Sequence, residues 1–318
     1  MDKNDVALRR QQAELNEYFQ AQSSYWKDVY ASSGPQAEIY RLRQAVVLAW
    51  IGDLVLAPGS RVLEVGCGAG FLSVELAKRG LRVHAIDSTQ TMVELTRRHA
   101  EESGVTELLS VGVGDVCDLA WEDGCFDLVV ALGVIPWLER PEMAIREMAR
   151  VSVPGGHVLL TDGNQAALNL LLDPWKNPAL ASLRRRSKGM LEWMRILHQS
   201  PKPTMAIFHD RRFIDEALAS AELIKIKGMT LGFGTFTFLH RKILPERLGI
   251  ALNHQLQSLA NRNVPFLRST GLTYLVLATK PALPHSEQSL SAEQLIYCAA
   301  KGQSFENGDV DGGPVLPE

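Results

Sequence analysis

Cysteine is scarce in this 318-residue sequence: there are four, and no two of them form a C-x-x-C pair. The sequence therefore lacks the usual spacing of a zinc site and the cysteine density of a small disulfide-stabilised scaffold. We expect all four residues to be reduced thiols. They are Cys67, Cys117, Cys125 and Cys298.

The sequence also lacks any apolar run of about 20 residues, the length that a transmembrane helix needs. Its polar N-terminus has no apolar segment typical of a signal peptide. Neither charge dominates, because 33 Lys and Arg against 36 Asp and Glu give a net charge of -3. No overall positive field attracts nucleic acid. We predict a cytoplasmic protein with no membrane span and no DNA partner, either a monomer or a homodimer.

No segment repeats with a period of about 20–50 residues, which argues against a solenoid or a propeller. What the sequence does contain is an alternation of short β-rich runs and helical patterns, which is typical of βαβ units and a parallel sheet. We predict strands over 61–65, 82–86, 108–112, 126–132, 157–162, 225–227 and 273–280, and helices over 71–79, 91–102 and 142–150. The turn Pro154-Gly-Gly156 is expected to lead into the fifth strand.

A glycine-rich loop follows the first predicted strand, with Gly66, Gly68 and Gly70 at alternate positions before a helix. Glycines there let the backbone approach a ligand closely, and the start of the helix offers free N–H groups. The spacing is G-x-G-x-G, whereas a dinucleotide fold uses G-x-G-x-x-G. Glu64 stands just before the loop, where it would repel a diphosphate and attract a cation. S-adenosylmethionine, which carries an ammonium and a sulfonium, fits this pattern.

Two further acids follow the next two strands of the predicted sheet. Asp87 ends the second strand, where a carboxylate can accept hydrogen bonds from both hydroxyls of a ribose. Asp115 follows the third strand, where its side chain could accept a hydrogen bond from the adenine amino group.

With these elements in this order, the sequence resembles the class I S-adenosylmethionine-dependent methyltransferases. The run from Glu64 to Gly70 is similar to the first motif of that family, and Gly114-Asp115 is similar to its adenine motif. The resemblance covers residues 58–162 and, more loosely, 211–280. It implies S-adenosylmethionine as cofactor and S-adenosylhomocysteine as product. The residues assigned to the cofactor are Glu64, Gly66, Cys67, Gly68, Gly70, Asp87, Ser88, Met92, Gly114, Asp115, Val116, Leu132, Tyr25 and Arg43.

The predicted fold is α/β: a Rossmann-like, seven-stranded methyltransferase sheet, parallel apart from an antiparallel last strand, with an N-terminal helical lid and helical cap inserts. We divide the chain into a lid (1–52), a cofactor-binding core (53–163), a helical cap insert (164–210), a C-terminal part of the core (211–280) with an acceptor-site insert (232–271), and a flexible tail (281–318). The aromatic residues over 18–26 have little regular helical spacing, which favours a lid over the cofactor; the alternative is that they form the buried face of an N-terminal helix.

The inserts are rich in apolar and aromatic residues, so we expect an apolar pocket for a small-molecule acceptor. A helix in the last insert is expected to pack through Leu248, Leu252, Leu256 and Leu259. The residues assigned to the acceptor are Tyr18, Trp26, Trp137, Asn164, Trp193 and Phe236. For Trp137, packing in the core is an equally good interpretation.

The candidate general bases are His209, His240 and Asp162, with His198 as a further histidine. Each of them alone could equally be structural. Methyl transfer needs mainly in-line placement of its reactants, and a base adds to this when the nucleophile is a hydroxyl. No pair of carboxylates marks a magnesium site, so we predict a metal-independent reaction.

The predicted function is methyl transfer to a hydroxyl or amine of a small, apolar or glycosylated metabolite. Within the same family, a tRNA methyltransferase remains an alternative because of the basic cluster over 184–188, and a tetrapyrrole carboxyl methyltransferase because of the apolar inserts. Outside it, the alternatives are an NAD(P)-dependent oxidoreductase and a non-catalytic subunit that binds S-adenosylmethionine.

Overall fold

The structure is a computed structural model, and it describes residues 3–30, 32–183, 186, 206–239 and 241–282. Of the residues predicted to act in the site, Trp193, His240 and His198 lie outside these ranges, as does most of the basic cluster over 184–188.

A seven-stranded sheet forms the centre of the molecule. Its strands are β1 (Arg61–Val65), β2 (Arg82–Asp87), β3 (Leu109–Val113), β4 (Phe126–Ala131), β5 (Ser152–Gly163), β6 (Ile224–Leu231) and β9 (Thr273–Thr279), and a separate hairpin holds β7 (Thr237–Phe238) and β8 (Arg241–Lys242). The strand order in the sheet is β3-β2-β1-β4-β5-β9-β6. The helices are α1 (Lys3–Ala21), α2 (Ser23–Asp28), α3 (Pro35–Asp53), α4 (Phe71–Lys78), α5 (Gln90–Ser103), α6 (Pro141–Val151), α7 (Leu168–Leu171), α8 (Arg211–Ser220) and α9 (Glu246–Asn261).

The predicted fold class is confirmed by the pairing of the strands. Strands β1 to β5 are parallel to one another, whereas β9 lies antiparallel between β5 and β6. The central strand β1 is buried along Val62, Leu63, Glu64 and Val65, which is the continuous burial expected of a parallel strand covered on both faces. Because the strands are parallel, the carboxyl ends of β1, β2, β4 and β5 meet at one edge of the sheet.

The fifth strand begins earlier than predicted. Helix α6 ends at Val151 and β5 starts at Ser152, so Pro154-Gly-Gly156 lies inside the strand and not in a turn before it. The pairing of β4 with β5 shifts register between Phe126 and Leu128, which absorbs the extra residues as a bulge.

The N-terminal segment is helical, but residues 18–26 span the end of α1 and the start of α2, which are separated at Gln22, so their aromatic residues do not follow one continuous helix. Its aromatic side chains contact one another and the core: the Phe19 ring lies 5.0 Å from that of Trp137, and the Tyr30 ring lies 4.4 Å from that of Phe71. Side-chain contacts between helices, rather than spacing along one helix, therefore account for the pattern. Asn16 also accepts a hydrogen bond from the Ser88 hydroxyl at 3.0 Å, which ties α1 to the end of β2.

Helix α9 buries a different face from the predicted one. Its buried residues are Gly249, Asn253, Gln257 and Ala260, whereas Leu248 and Leu259 are exposed. The Asn253 and Gln257 side chains accept hydrogen bonds from the backbone N–H groups of Phe233 and Gly232, both at 2.8 Å. Because an unpaired buried backbone group is costly, these amides lie against the loop after β6. Leu252 and Leu256 do pack against buried Phe233.

The described part of the first insert contains α7, a 3-10 turn over Pro178–Leu180 and helical residues at 181–183 and 186. Asp173 and Asn177, the two residues that precede prolines in this insert, each accept a hydrogen bond from the backbone N–H two residues later. The side chain of Asp173 accepts a hydrogen bond from the Trp175 N–H at 2.9 Å, and that of Asn177 accepts one from the Ala179 N–H at 2.9 Å.

Cys67 and Cys117 are free thiols, as predicted, but Cys125 is disulfide-bonded, so the expectation that all four cysteines are reduced is wrong. Spacing along the chain does not show which cysteines the fold brings together. Within the described ranges, no helix has the length and apolar character needed to cross a membrane.

Candidate active site

The glycine loop leads from the end of β1 into α4, with Gly66, Gly68 and Gly70 at φ values of +66°, +57° and +76°. The three positions differ in what an added side chain would meet. A Cβ at Gly66 would lie 2.3 Å from Val134, and one at Gly70 would lie 2.6 Å from Thr96, so packing alone requires these two glycines. A Cβ at Gly68 would meet no atom within 4 Å. Gly68 is therefore the position at which the loop faces open space.

Asp87, at the end of β2, fixes the conformation of this loop. Its Oδ2 accepts a hydrogen bond from the Gly68 N–H at 3.0 Å, and its Oδ1 accepts bonds from the Thr89 N–H and hydroxyl at 3.0 and 2.8 Å. Burial raises the pKa of the Asp87 carboxyl, although these bonds oppose the rise. The Asp87 side chain also belongs to the lining of the cavity described below.

Glu64 lies buried at the end of β1 and accepts a hydrogen bond from the Ser73 hydroxyl. Burial raises the pKa of Glu64 to about 8, while Ser73 and the positive charge of Arg43 act in the opposite direction. A buried carboxylate without a full counter-charge favours a cationic ligand beside it.

Cys67 lies in the loop between Gly66 and Gly68. Its sulfur lies 3.5 Å from the Thr96 hydroxyl, and burial raises the pKa of the thiol well above its ordinary value. Because the thiolate is the reactive form, this environment supports the interpretation of Cys67 as a small residue that fills the loop.

A cavity of about 290 Å³ opens above the carboxyl ends of the strands. It joins the glycine loop to the end of β5 and is closed on one side by the N-terminal helices. The lining residues are Phe19, Trp26, Tyr30, Gln36, Tyr40, Arg43, Glu64, Gly66, Cys67, Gly68, Ala69, Phe71, Leu72, Asp87, Met92, Leu132, Gly133, Pro136, Trp137, Thr161, Asp162, Gly163, Ala206, Phe208, Leu272 and Thr273. This volume is near the lower end for small-molecule sites, about 300–1,000 Å³.

Helix α3 contributes a cation, Arg43, to this lining, and α2 contributes Trp26. Arg43 is buried, and its guanidinium lies 4.8 Å from the centre of the Tyr40 ring, which in turn lies 5.8 Å from the ring of Trp26. The neighbouring Arg41 turns away from the cavity, since it binds Glu38 and the backbone carbonyls of Tyr30 and Ser32.

At the other end of the cavity, the fold brings together two of the candidate bases. Asp162 ends β5 with 1% of its surface exposed, and its Oδ2 lies 3.0 Å from Nδ1 of His209. The His209 ring stacks on Phe213, with their centres 4.6 Å apart. Burial raises the pKa of Asp162, while His209 acts to lower it. Asp162 lines the cavity, and His209 supports it from behind.

Three buried polar atoms of lining residues have no hydrogen-bond partner within the described ranges. They are two donors, Trp26 Nε1 and Arg43 Nε, and one acceptor, Asp162 Oδ1. Because such groups are costly unless paired, their concentration around one cavity indicates a polar ligand. The same described residues contain no group of three histidines, cysteines or acids that could hold a metal ion.

Several residues assigned to the cofactor do not line this cavity. Ser88 is bound to Asn16 of α1, Val116 belongs to the hydrophobic core, and Gly70 and Tyr25 lie outside the lining. Asp115 is exposed and accepts a hydrogen bond from the Cys117 N–H at 2.8 Å. Its neighbour Gly114 donates its N–H to the Asp87 carbonyl, so this loop still adjoins the end of β2.

Among the residues assigned to the acceptor, Trp26 and Trp137 line the cavity. Tyr18 stands behind Trp137, with ring centres 5.7 Å apart. The Asn164 amide donates to the carbonyls of Ser269 and Gly271, so it holds backbone and does not face a ligand. Phe236 packs with Phe233 and Ala260 in a separate cluster. The positions of Asn164 and Phe236 therefore do not match the roles predicted for them.

Sequence reasoning missed Thr161, Phe208 and Leu272, which line the cavity together with Asp162. The Thr161 hydroxyl accepts a hydrogen bond from the Gly133 N–H at 2.7 Å and so joins the ends of β4 and β5. Thr161 and Phe208 adjoin Asp162 and His209 in the sequence, which was the signal available.

Residues 63–160 match the sequence model of a family described as "Methyltransferase domain". The part of the chain from β1 to β5 is therefore similar to methyltransferase domains. This match supports the resemblance to class I methyltransferases over the same residues. The matched residues include the glycine loop, Glu64 and Asp87, together with the other cavity-lining residues between positions 64 and 137.

Curated relatives match about half of the chain. A protein named ubiquinone biosynthesis O-methyltransferase from Xanthomonas campestris pv. campestris is 37% identical over 155 residues, or 48% of this chain and 62% of the relative. Its namesake from Xanthomonas axonopodis pv. citri is 36% identical over the same coverage. The chain thus spans less than two thirds of these relatives.

Among solved structures, the magnesium protoporphyrin IX methyltransferase of Synechocystis PCC 6803, with bound SAH, superimposes with a TM-score of 0.56 at 16% identity. The match covers 84% of this chain and 99% of that one. At this identity the similarity shows the fold alone.

Proposed function

We propose that this protein is an S-adenosylmethionine-dependent methyltransferase that acts on a hydroxyl or amine of a small, apolar molecule without a metal ion. One observation carries the proposal: a single cavity is lined by the glycine loop, Glu64 and Asp87 at one end and by Asp162 at the other. A cofactor and an acceptor bound there would lie side by side.

The residues present fit S-adenosylmethionine. Glu64 offers a buried carboxylate to a cationic group, and Asp87 lines the cavity at the end of β2, where a carboxylate suits ribose hydroxyls. The unpaired donors of Trp26 and Arg43 suit the carboxylate of an amino acid. The open space at Gly68 lets backbone and ligand approach each other. When bound, the cofactor supplies a methyl group already activated by its sulfonium.

The protein's own part is then to position and to move one proton. Aromatic side chains from α1 to α3 and Trp137 cover the cavity and exclude water. Asp162 Oδ1 can accept the proton that a hydroxyl or amine must lose, and His209 holds Oδ2. Alignment of the reactants accounts for most of the rate in such a transfer.

The nature of the acceptor is supported by two observations. The acceptor end of the cavity has apolar and aromatic walls, which suit a small molecule better than a nucleic acid backbone. The curated relatives are named O-methyltransferases, which supports oxygen as the methylated atom. The division of the chain into lid, core and inserts is part of the same proposal.

Calorimetric titration of the full chain with S-adenosylhomocysteine and, separately, with NADH tests the cofactor. We expect binding of the first only, and binding of NADH alone would overturn the proposal. The enzyme is then incubated with methyl-labelled S-adenosylmethionine and cell extract, which is separated into small molecules, tRNA and DNA. Label is expected in the small molecules. Label confined to tRNA would refute the small-molecule acceptor, and no label in any fraction would indicate a non-catalytic subunit.

A further inference from the structure

We propose that the end of the cavity around Asp162 is a subsite for a planar, uncharged hydroxyl compound of the phenol class, and that it rejects carboxylates. This inference rests on the proposed function and narrows its acceptor. It would make Asp162 the residue that determines specificity between a hydroxyl and a carboxyl group as the methylated centre.

The first argument is the direction of hydrogen bonding at Asp162. Its Oδ2 is held by His209 at 3.0 Å, whereas its Oδ1 is buried, unpaired within the described ranges and part of a cavity-lining residue. An ionised carboxylate can only accept hydrogen bonds. The group that satisfies Oδ1 must therefore bring its own hydrogen, as a hydroxyl does.

The second argument is the shape and chemistry of the surrounding walls. The 3-10 helix Ile135–Trp137 contributes Pro136 and Trp137, and the Ile207 N–H donates to the Pro136 carbonyl at 2.6 Å, which brings Phe208 to the same end of the cavity. The Phe208 ring packs so closely on Gly163 that a Cβ there would lie 2.1 Å from it. A cavity lined by Trp137, Phe208 and the acidic residue Asp162 suits an aromatic ring that carries one hydroxyl.

The third argument is the distribution of charge. Among the described residues that line the cavity, Arg43 is the cation, and its charge acts on Glu64. Asp162 has the ring of His209 as its hydrogen-bond partner at 3.0 Å. A ligand carboxylate beside Asp162 would bury a second negative charge without a partner of its own, which is strongly unfavourable. A neutral hydroxyl meets no such penalty.

The test compares 2-naphthol with 2-naphthoate, which share a flat ring system but differ in charge. Each probe is titrated calorimetrically into the full chain saturated with S-adenosylhomocysteine. A hydrogen bond to a charged group corresponds to roughly 10- to 100-fold in affinity, so we expect 2-naphthol to bind at least about tenfold more tightly. Asp162→Asn, whose amide can donate to a carboxylate, should reduce this preference to about threefold or less, or reverse it.

Asp53→Asn is the matched control, because it removes the same charge at an exposed position paired with Lys227, outside the cavity. It should keep the wild-type preference. His209→Leu serves as a second variant. Without its partner, the buried Asp162 should take up a proton, so that the rejection of 2-naphthoate is lost while 2-naphthol still binds.

Equal or tighter binding of 2-naphthoate by the wild type would overturn the proposal. So would an unchanged preference in folded Asp162→Asn and His209→Leu, or no binding of either probe. Failure of the cofactor proposal is distinguishable, because S-adenosylhomocysteine itself would then not bind in the first titration.

Discussion

Replacing Gly68 with alanine separates the backbone role of the glycine loop from its role in ligand binding. Gly68 has a φ of +57°, and an added Cβ would enter open space at the wall of the cavity. Gly104, which ends α5 at a φ of +67°, also has nothing within 4 Å of an added Cβ, but it lies outside the cavity. Gly104→Ala is therefore a control with nearly the same backbone cost.

Both variants force an L-residue into the left-handed region, which costs about 1–2 kcal/mol per residue. We expect similar losses in the free energy of unfolding, measured by urea denaturation. Only Gly68→Ala should affect the ligand, because its methyl group fills space that the ligand needs. Overpacking by one methyl group costs about 1–3 kcal/mol, which is roughly a 5- to 150-fold loss in affinity.

The assay is calorimetric titration of both variants with S-adenosylhomocysteine, alongside the wild type. Gly104→Ala should bind like the wild type. If Gly68→Ala binds as tightly as Gly104→Ala at equal stability, then no ligand approaches the loop at Gly68, and the placement of the cofactor in this cavity is refuted.

Three further predictions follow from the same site. Asp87→Ala should weaken binding of S-adenosylhomocysteine by about 1.5–3 kcal/mol, the range for a hydrogen bond to a charged group, and unchanged affinity by calorimetry in a folded variant would exclude a role for Asp87 in binding. Burial raises the pKa of Glu64 to about 8, and a cationic ligand needs the ionised form of this carboxyl group. The affinity for S-adenosylmethionine should therefore fall as the pH drops below 8, by up to about tenfold per pH unit. Titrations from pH 6 to pH 9 should show this fall, and a pH dependence preserved in Glu64→Gln would contradict it. Residues 15–30 should exchange amide hydrogens more slowly with S-adenosylhomocysteine than without it, since they carry Phe19 and Trp26 of the cavity wall; equally slow exchange in both states would make this segment a permanent part of the core.

The sheet and the cofactor half of the site were predictable because their signals are local. Strand β1 matches its predicted bounds, and Glu64, Gly68 and Asp87 stand beside strand ends that a βαβ pattern brings to one edge. No tertiary information was needed to place them together.

The acceptor half was less predictable because it depends on contacts between distant segments. Asp162 and His209 were named singly, and their pairing arises only when the chain returns past the end of β5. The buried face of α9 was missed because Asn253 and Gln257 satisfy backbone groups after β6, a demand that hydrophobic periodicity does not contain. Phe236 was misplaced for the same reason, since an aromatic run shows that a cluster exists but not where it packs.

The position of β9 between β5 and β6 has a consequence for the order in which the site can form during synthesis. Strands β3, β2, β1 and β4, with the glycine loop, can pair as soon as the first half of the chain has been made. The outer edge of β5, however, pairs with β9, which is synthesised more than a hundred residues later; Asp162, for example, pairs with Tyr274. A nascent chain could therefore bind its cofactor before its acceptor end exists, and the ligand would stabilise the early half while the exposed edge of β5 awaits its partner.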